Sequence, residues 1–110
     1  MSAAFSYPPV SPALVVNDGT AAIEFYKKAF GAEERYRLID PETGKIGHAE
    51  ITIKGVLIML GDEYADMTKA PTTLGGTSVA LGMMSTDANA DFERAVKAGA
   101  EVVRPLQDQF

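Results

Sequence analysis

His48 is the only histidine in the chain, and Glu50 follows it by two residues. Imidazole takes up and releases a proton near neutral pH, and a nearby carboxylate orients it. On a strand, residues two apart share a face, so His48 and Glu50 read as a candidate catalytic acid/base pair. The plainer alternative is a histidine held by hydrogen bonds on a half-wet strand. A metal site on this pair alone would be short of ligands. Arg35 and Arg37 alternate along one segment and could clamp an anion, with Arg37 as the candidate ligand contact. Met59, Met83 and Met84 offer a soft, adaptable lining, or ordinary core packing. The chain has no cysteine, which excludes disulfides, thiolate metal sites and cysteine nucleophiles.

These residues need elements to hold them. Val10–Val16 reads as a strand, with Pro12 placing it at an edge. Asp18 caps a helix running to about Phe30, where Ala22, Ile23, Tyr26, Ala29 and Phe30 form one apolar stripe and Gly31 closes the end. Strands follow at Glu33–Ile39, Gly47–Ile53 and Val56–Leu60. Lys54-Gly55 reads as a two-residue hairpin turn. That turn pairs Ile53 with Val56, Thr52 with Leu57, Glu50 with Met59 and His48 with Gly61. His48, Glu50, Thr52, Leu57 and Met59 then share one mixed face. Ala49, Ile51, Ile53, Val56, Ile58 and Leu60 share an apolar face that packs on helices. In the first strand, Ser11, Ala13 and Val15 join the mixed face. Residues 1–9 form an extended lead-in, and residues 62–77 a long linker loop. Ser78–Met84 reads as a strand, 88–98 as a helix capped by Asp87, and Glu101–Arg104 as a short strand.

The 110 residues suit one domain. A hydrophobic share of 46% with 23% charged residues supports a soluble globular core. A net charge of -5 argues against a nucleic-acid partner. No apolar run is long enough to span a bilayer, and Met1–Phe5 lacks the start of a signal peptide. A cytoplasmic protein is the expectation. Gly31-Ala32-Glu33 recurs as Gly99-Ala100-Glu101, Glu24-Phe25 as Asp91-Phe92, and the capping Asp18 as Asp87. The repeated strand–helix–strand order points to duplication.

A strand–helix–three-strand module used twice resembles the plan of the vicinal oxygen chelate superfamily (glyoxalase I, bleomycin resistance proteins, extradiol dioxygenases). The segments Ala22–Ala32, Ile46–Glu50, Val56–Leu60, Leu74–Thr77 and Ala98–Ala100 resemble its PhnB-like branch. The resemblance implies an α+β fold of paired βαβββ modules, with half-cup sheets and helices outside. Residues 10–61 would be the first module, and 78–110 a second one that reads as incomplete at Gln107–Phe110.

By the same resemblance, the family's metal ligands fall at Ser11, Met59 and Ala80, with Ser78 or Gly82 as shifted alternatives to Ala80. None is an imidazole or carboxylate, so no metal cofactor is expected. The implied function is binding of a small, partly apolar molecule in the sheet-lined cup. Ser11, Arg37, Thr52, Leu57, Met59 and Met84 are the candidate ligand contacts. The alternative is a lyase- or isomerase-type enzyme using His48 as acid/base, or a relocated divalent metal. A third is a scaffold without ligand. Family members commonly pair modules between chains, so a homodimer is the expected assembly.

Overall fold

The computed structural model describes residues 5–106. Its elements run β1 (Ala13–Val16), α1 (Gly19–Phe30), β2 (Glu33–Ile39), β3 (Ile46–Ile53), β4 (Val56–Asp62), a single turn α2 (Pro71–Leu74), and α3 (Ala88–Lys97). Lys54 and Gly55 have φ of 53° and 79°, the paired positive values of a type I′ turn, whose twist suits a tight hairpin. The turn locks β3 to β4 in the register expected from sequence, with Thr52 opposite Leu57 and Glu50 opposite Met59. β1 pairs parallel with β4 and β2 antiparallel with β3, giving the sheet order β1-β4-β3-β2. β1 lies at an edge and starts at Ala13, later than the expected Val10. Pro12 has no N–H for a ladder, and its carbonyl accepts from the Met59 amide at 3.0 Å.

α1 forms as its sequence directs. Asp18 accepts from the Ala21 amide at 3.1 Å, and Gly31 closes the helix at φ 69°. Asp62 ties the helix to the sheet. Its two oxygens accept from the Gly19 amide at 2.6 Å and the Ile46 amide at 2.7 Å. Ile23 of α1 shares one buried cluster with Ile46, Ala49, Ile51, Ile53, Ile58 and Leu60, so the apolar sheet face lies against the helix as expected. Val56 is the exception at 59% exposure, because it sits at the hairpin tip. Burying one such aliphatic side chain contributes about 1.5–3 kcal/mol.

α3 starts as α1 does. Asp87 accepts from the Ala90 amide at 3.1 Å, as Asp18 does for α1. Arg94 of α3 donates to the Lys28 carbonyl at 2.8 Å and the Lys27 carbonyl at 3.3 Å. A cation thus meets the negative end of α1. The expected strands at Ser78–Met84 and Glu101–Arg104 are absent. Among the described residues neither segment finds a ladder partner, and an extended segment without one is not a strand. Residues 1–4 and the expected stop of the second module at 107–110 lie outside the described residues. No helix among the described residues is long and apolar enough to cross a membrane.

Candidate functional site

Glu50 is the centre of the mixed sheet face. It is 2% exposed, a rare position for a carboxylate without partners. It has four partners. Tyr36 donates to Oε2 at 2.9 Å, and His48 Nε2 lies 2.9 Å from the same oxygen. Tyr7 donates to Oε1 at 2.9 Å, and Arg35 Nη1 also donates there. Burial alone would push the Glu50 carboxyl up. Hydrogen bonds from His48, Tyr36 and Tyr7 and the charge of Arg35 outweigh it, and the group titrates at about 2. The same contact with Glu50, helped by desolvation, lifts the Tyr36 phenol to about 12.

A register shift brings these partners in. Glu34 faces Ile51 and Tyr36 faces Glu50, so Arg35 is one extra residue on β2, a β-bulge. Arg35 and its neighbour Tyr36 therefore both reach Glu50. The chain before β1, expected as a plain lead-in, crosses this face. The Arg35 guanidinium lies 3.6 Å from the centre of the Phe5 ring, and Tyr7 reaches Glu50.

Beside this hub lies a chamber of about 440 Å³, within the usual range for small-molecule pockets. Ala13, Val15, His48, Met59 and Gly61 form its sheet side, and Tyr64, Met67 and Thr68 from the following loop its other wall. That loop is held in shape. Thr68 Oγ1 accepts from the Tyr64 amide at 3.0 Å, and the Tyr64 carbonyl accepts from the Met67 and Thr68 amides at 2.8 and 2.9 Å. Gly61 admits the tight packing here. A Cβ on it would sit 2.9 Å from the Gly47 carbonyl oxygen.

Among the sequence candidates, His48 and Met59 line the chamber and Glu50 supports His48 from behind. The rest lie elsewhere. Arg37 faces Ala49, beyond the bulge, and makes a two-pronged ion pair with Glu34 at 2.6 and 2.8 Å. Hydrogen bonds from Arg37 hold the Glu34 carboxyl at about 2 against its desolvation. Arg35, not Arg37, is the arginine of the mixed face. Leu57 shares that face but is only 3% exposed, and Thr52 pairs with it away from the chamber. Met84 is 89% exposed, beside the hairpin tip with Ile53 and Val56. Ser11 is outside the chamber lining, and its Oγ is buried without a hydrogen-bond partner. Sequence reasoning did not select Tyr7, Tyr64 or Met67. All three lie on irregular chain, where no periodicity assigns a face.

The metal positions implied by the resemblance do not fit a hard divalent ion. Ser11 offers a neutral hydroxyl, Met59 a soft thioether, and Ala80 no donor at all. Among the described residues, no three His, Asp or Glu side chains gather as a metal site.

The chain is 46% identical over 107 residues to an uncharacterized protein of Mycobacterium bovis, covering 94% of this chain and 70% of that protein. An uncharacterized protein of Mycobacterium tuberculosis matches at the same identity, and the chain spans 62% of its length. Among solved structures, an Arabidopsis thaliana gene product superposes with a TM-score of 0.73 at 24% identity, covering 92% of this chain and 80% of that one. TioX from Micromonospora gives 0.60 at 25% identity, covering 93% and 79%. A mutant of FosX, a fosfomycin resistance protein from Listeria monocytogenes complexed with Mn(II) and a dihydroxypropylphosphonic acid, gives 0.63 at 21%, covering 99% and 79%. The Arabidopsis and FosX likenesses concern the fold alone. A family model matches residues 9–110, and the chain belongs to the Glyoxalase/Bleomycin resistance protein/Dioxygenase superfamily.

Proposed function

We propose that this chain, of the PhnB-like branch, binds a small, largely apolar molecule in the chamber between His48, Met59 and Tyr64, without a metal. The observation that carries this is the chamber itself: about 440 Å³, with mostly apolar walls interrupted by His48, Asp62, Tyr64 and Thr68. Ser11 and Met59 at the family's ligand positions support the metal-free part. A suitable probe is 2-methoxynaphthalene, an uncharged fluorophore. The chain has no tryptophan, so naphthalene emission is read without indole background. The expected result is saturable one-to-one binding. Ala13→Phe, which fills the chamber from β1, should abolish it while far-UV circular dichroism stays unchanged. Wild-type binding by Ala13→Phe would overturn the site. Stoichiometric divalent metal in dialysed protein, by elemental analysis, would overturn the metal-free part.

A second reading, a lyase- or isomerase-type enzyme, is favoured by the 2.9 Å contact of His48 with a carboxylate held ionised. His48→Ala separates the two. Binding alone should weaken modestly, whereas general-base catalysis should fall about 10²–10⁴-fold.

The proposal includes a cytoplasmic homodimer. The radius of gyration is 15.3 Å, above the roughly 13 Å of a closely packed domain of about 100 residues. Val79, Leu81, Met83 and Val103 expose apolar surface. Light scattering showing a monomer at micromolar concentration would remove this part.

A further inference from the structure

The chamber wall dictates which polar group a ligand can carry. Among the described residues, its ionisable side chains are His48, Asp62 and Tyr64, and no lysine or arginine lines it. Both Asp62 oxygens are taken by the Gly19 and Ile46 amides. The Tyr64 hydroxyl donates toward Asp40 at 3.5 Å. The nearby arginines are also committed, Arg35 to Glu50 and Arg37 to Glu34. Lys45 Nζ lies 5.1 Å from the centre of the Tyr64 ring, outside the lining, and donates to the Glu63 carbonyl at 3.1 Å. An anionic ligand would therefore meet no cation on the wall itself among the described residues.

His48 is left, and its partner fixes what it offers. Glu50 Oε2 lies 2.9 Å from Nε2. An ionised carboxylate has no proton to give, so Nε2 must carry the hydrogen. On the neutral ring, Nδ1 is then an acceptor. Among the described residues, His48 hydrogen-bonds through Nε2 alone. Nδ1 of the neutral ring is thus left for a ligand donor.

Resting on the cup-binding reading above, we infer that the chamber selects an uncharged ligand with an aromatic or other ring-sized apolar body and one hydroxyl or N–H that donates to His48 Nδ1, and that it discriminates against carboxylates and phosphonates. Glu50 is the positioning residue for this selectivity, because it sets the tautomer. Arg35, Tyr36 and Tyr7 act one step further back, since they keep Glu50 ionised.

The test compares three probes of one shape: 2-naphthol, 2-methoxynaphthalene and 2-naphthoate, titrated by fluorescence at pH 7.5. One neutral hydrogen bond gives 2-naphthol an advantage over the ether of about 3- to 10-fold in Kd. The carboxylate should bind weakest. In His48→Phe, 2-naphthol should lose its advantage over the ether, whatever the level at which both bind. Equal Kd for 2-naphthol and the ether on the wild-type protein overturns the donor rule while leaving the cup reading intact. Tighter binding of 2-naphthoate than of 2-naphthol overturns the discrimination against anions. Failure of all three probes to bind overturns both this inference and the cup reading.

Discussion

Replacing Glu50 by Gln tests the hub on which the site rests. The carboxylate accepts from four side chains, Tyr7, Arg35, Tyr36 and His48. An amide supplies one acceptor oxygen, with room for two donors, and turns an N–H₂ group toward the others. Two hydrogen bonds to a charged group are thus lost, at about 1.5–3 kcal/mol each. Tyr7 and Arg35 are partly exposed and recover water, which discounts the sum to about 2–4 kcal/mol. That is a large share of the roughly 5–15 kcal/mol typical of a domain. With an m-value of about 2 kcal/mol/M, the urea midpoint should fall by about 1–2 M. Tyr36→Phe, which removes one donor and leaves the charge, should cost about 1 kcal/mol. The gap between wild type and Glu50→Gln should also depend on pH. The native Glu50 carboxyl lies at about 2, below its ordinary value of 4.5. Its contribution is therefore complete above about pH 5 and shrinks as pH falls through the native value. Glu34 titrates over the same window but is present in both proteins, so it cancels. A Glu50→Gln protein within about 0.5 kcal/mol of wild type would refute the hub. So would a gap that stays constant from pH 7 down to 3.

Three further outcomes check the surrounding structure. Gly61→Ala should destabilise by about 1–3 kcal/mol in urea unfolding, because its Cβ would lie 2.9 Å from the Gly47 carbonyl oxygen, a backbone atom that cannot swing away. Asp62→Ala should cost about 2–4 kcal/mol, since it leaves the Gly19 and Ile46 amides without their acceptor. Hydrogen exchange should show faster opening at both amides. Arg37→Ala should lower thermal stability slightly yet leave the Kd of 2-methoxynaphthalene unchanged. A severalfold loss of binding would place Arg37 in the site after all.

The register of β3 and β4 was legible because a two-residue turn leaves one way to pair the strands, and side-chain alternation then assigns every face. The same alternation misplaced Arg37, because the bulge adds one residue and a shift of one exchanges the faces. Ser78–Met84 carries strand composition, but composition names no partner, and none is present among the described residues. The position of Tyr7 follows from a contact 43 residues away in sequence, which no local pattern encodes.

Glu50 shows what the bulge contributes. Carried on without a shift, the pairing of Glu33 with Thr52 and of Glu34 with Ile51 would set Arg35 opposite Glu50 and Tyr36 opposite Ala49. The extra residue sets Tyr36 opposite Glu50 instead, while Arg35 still reaches the same carboxylate. A buried charge without an opposite partner costs several kcal/mol, so the bulge adds a donor without giving up the cation. Arg35 and Tyr36 are two of the four donors that hold Glu50 ionised, and Glu50 in turn determines which edge of His48 a ligand meets.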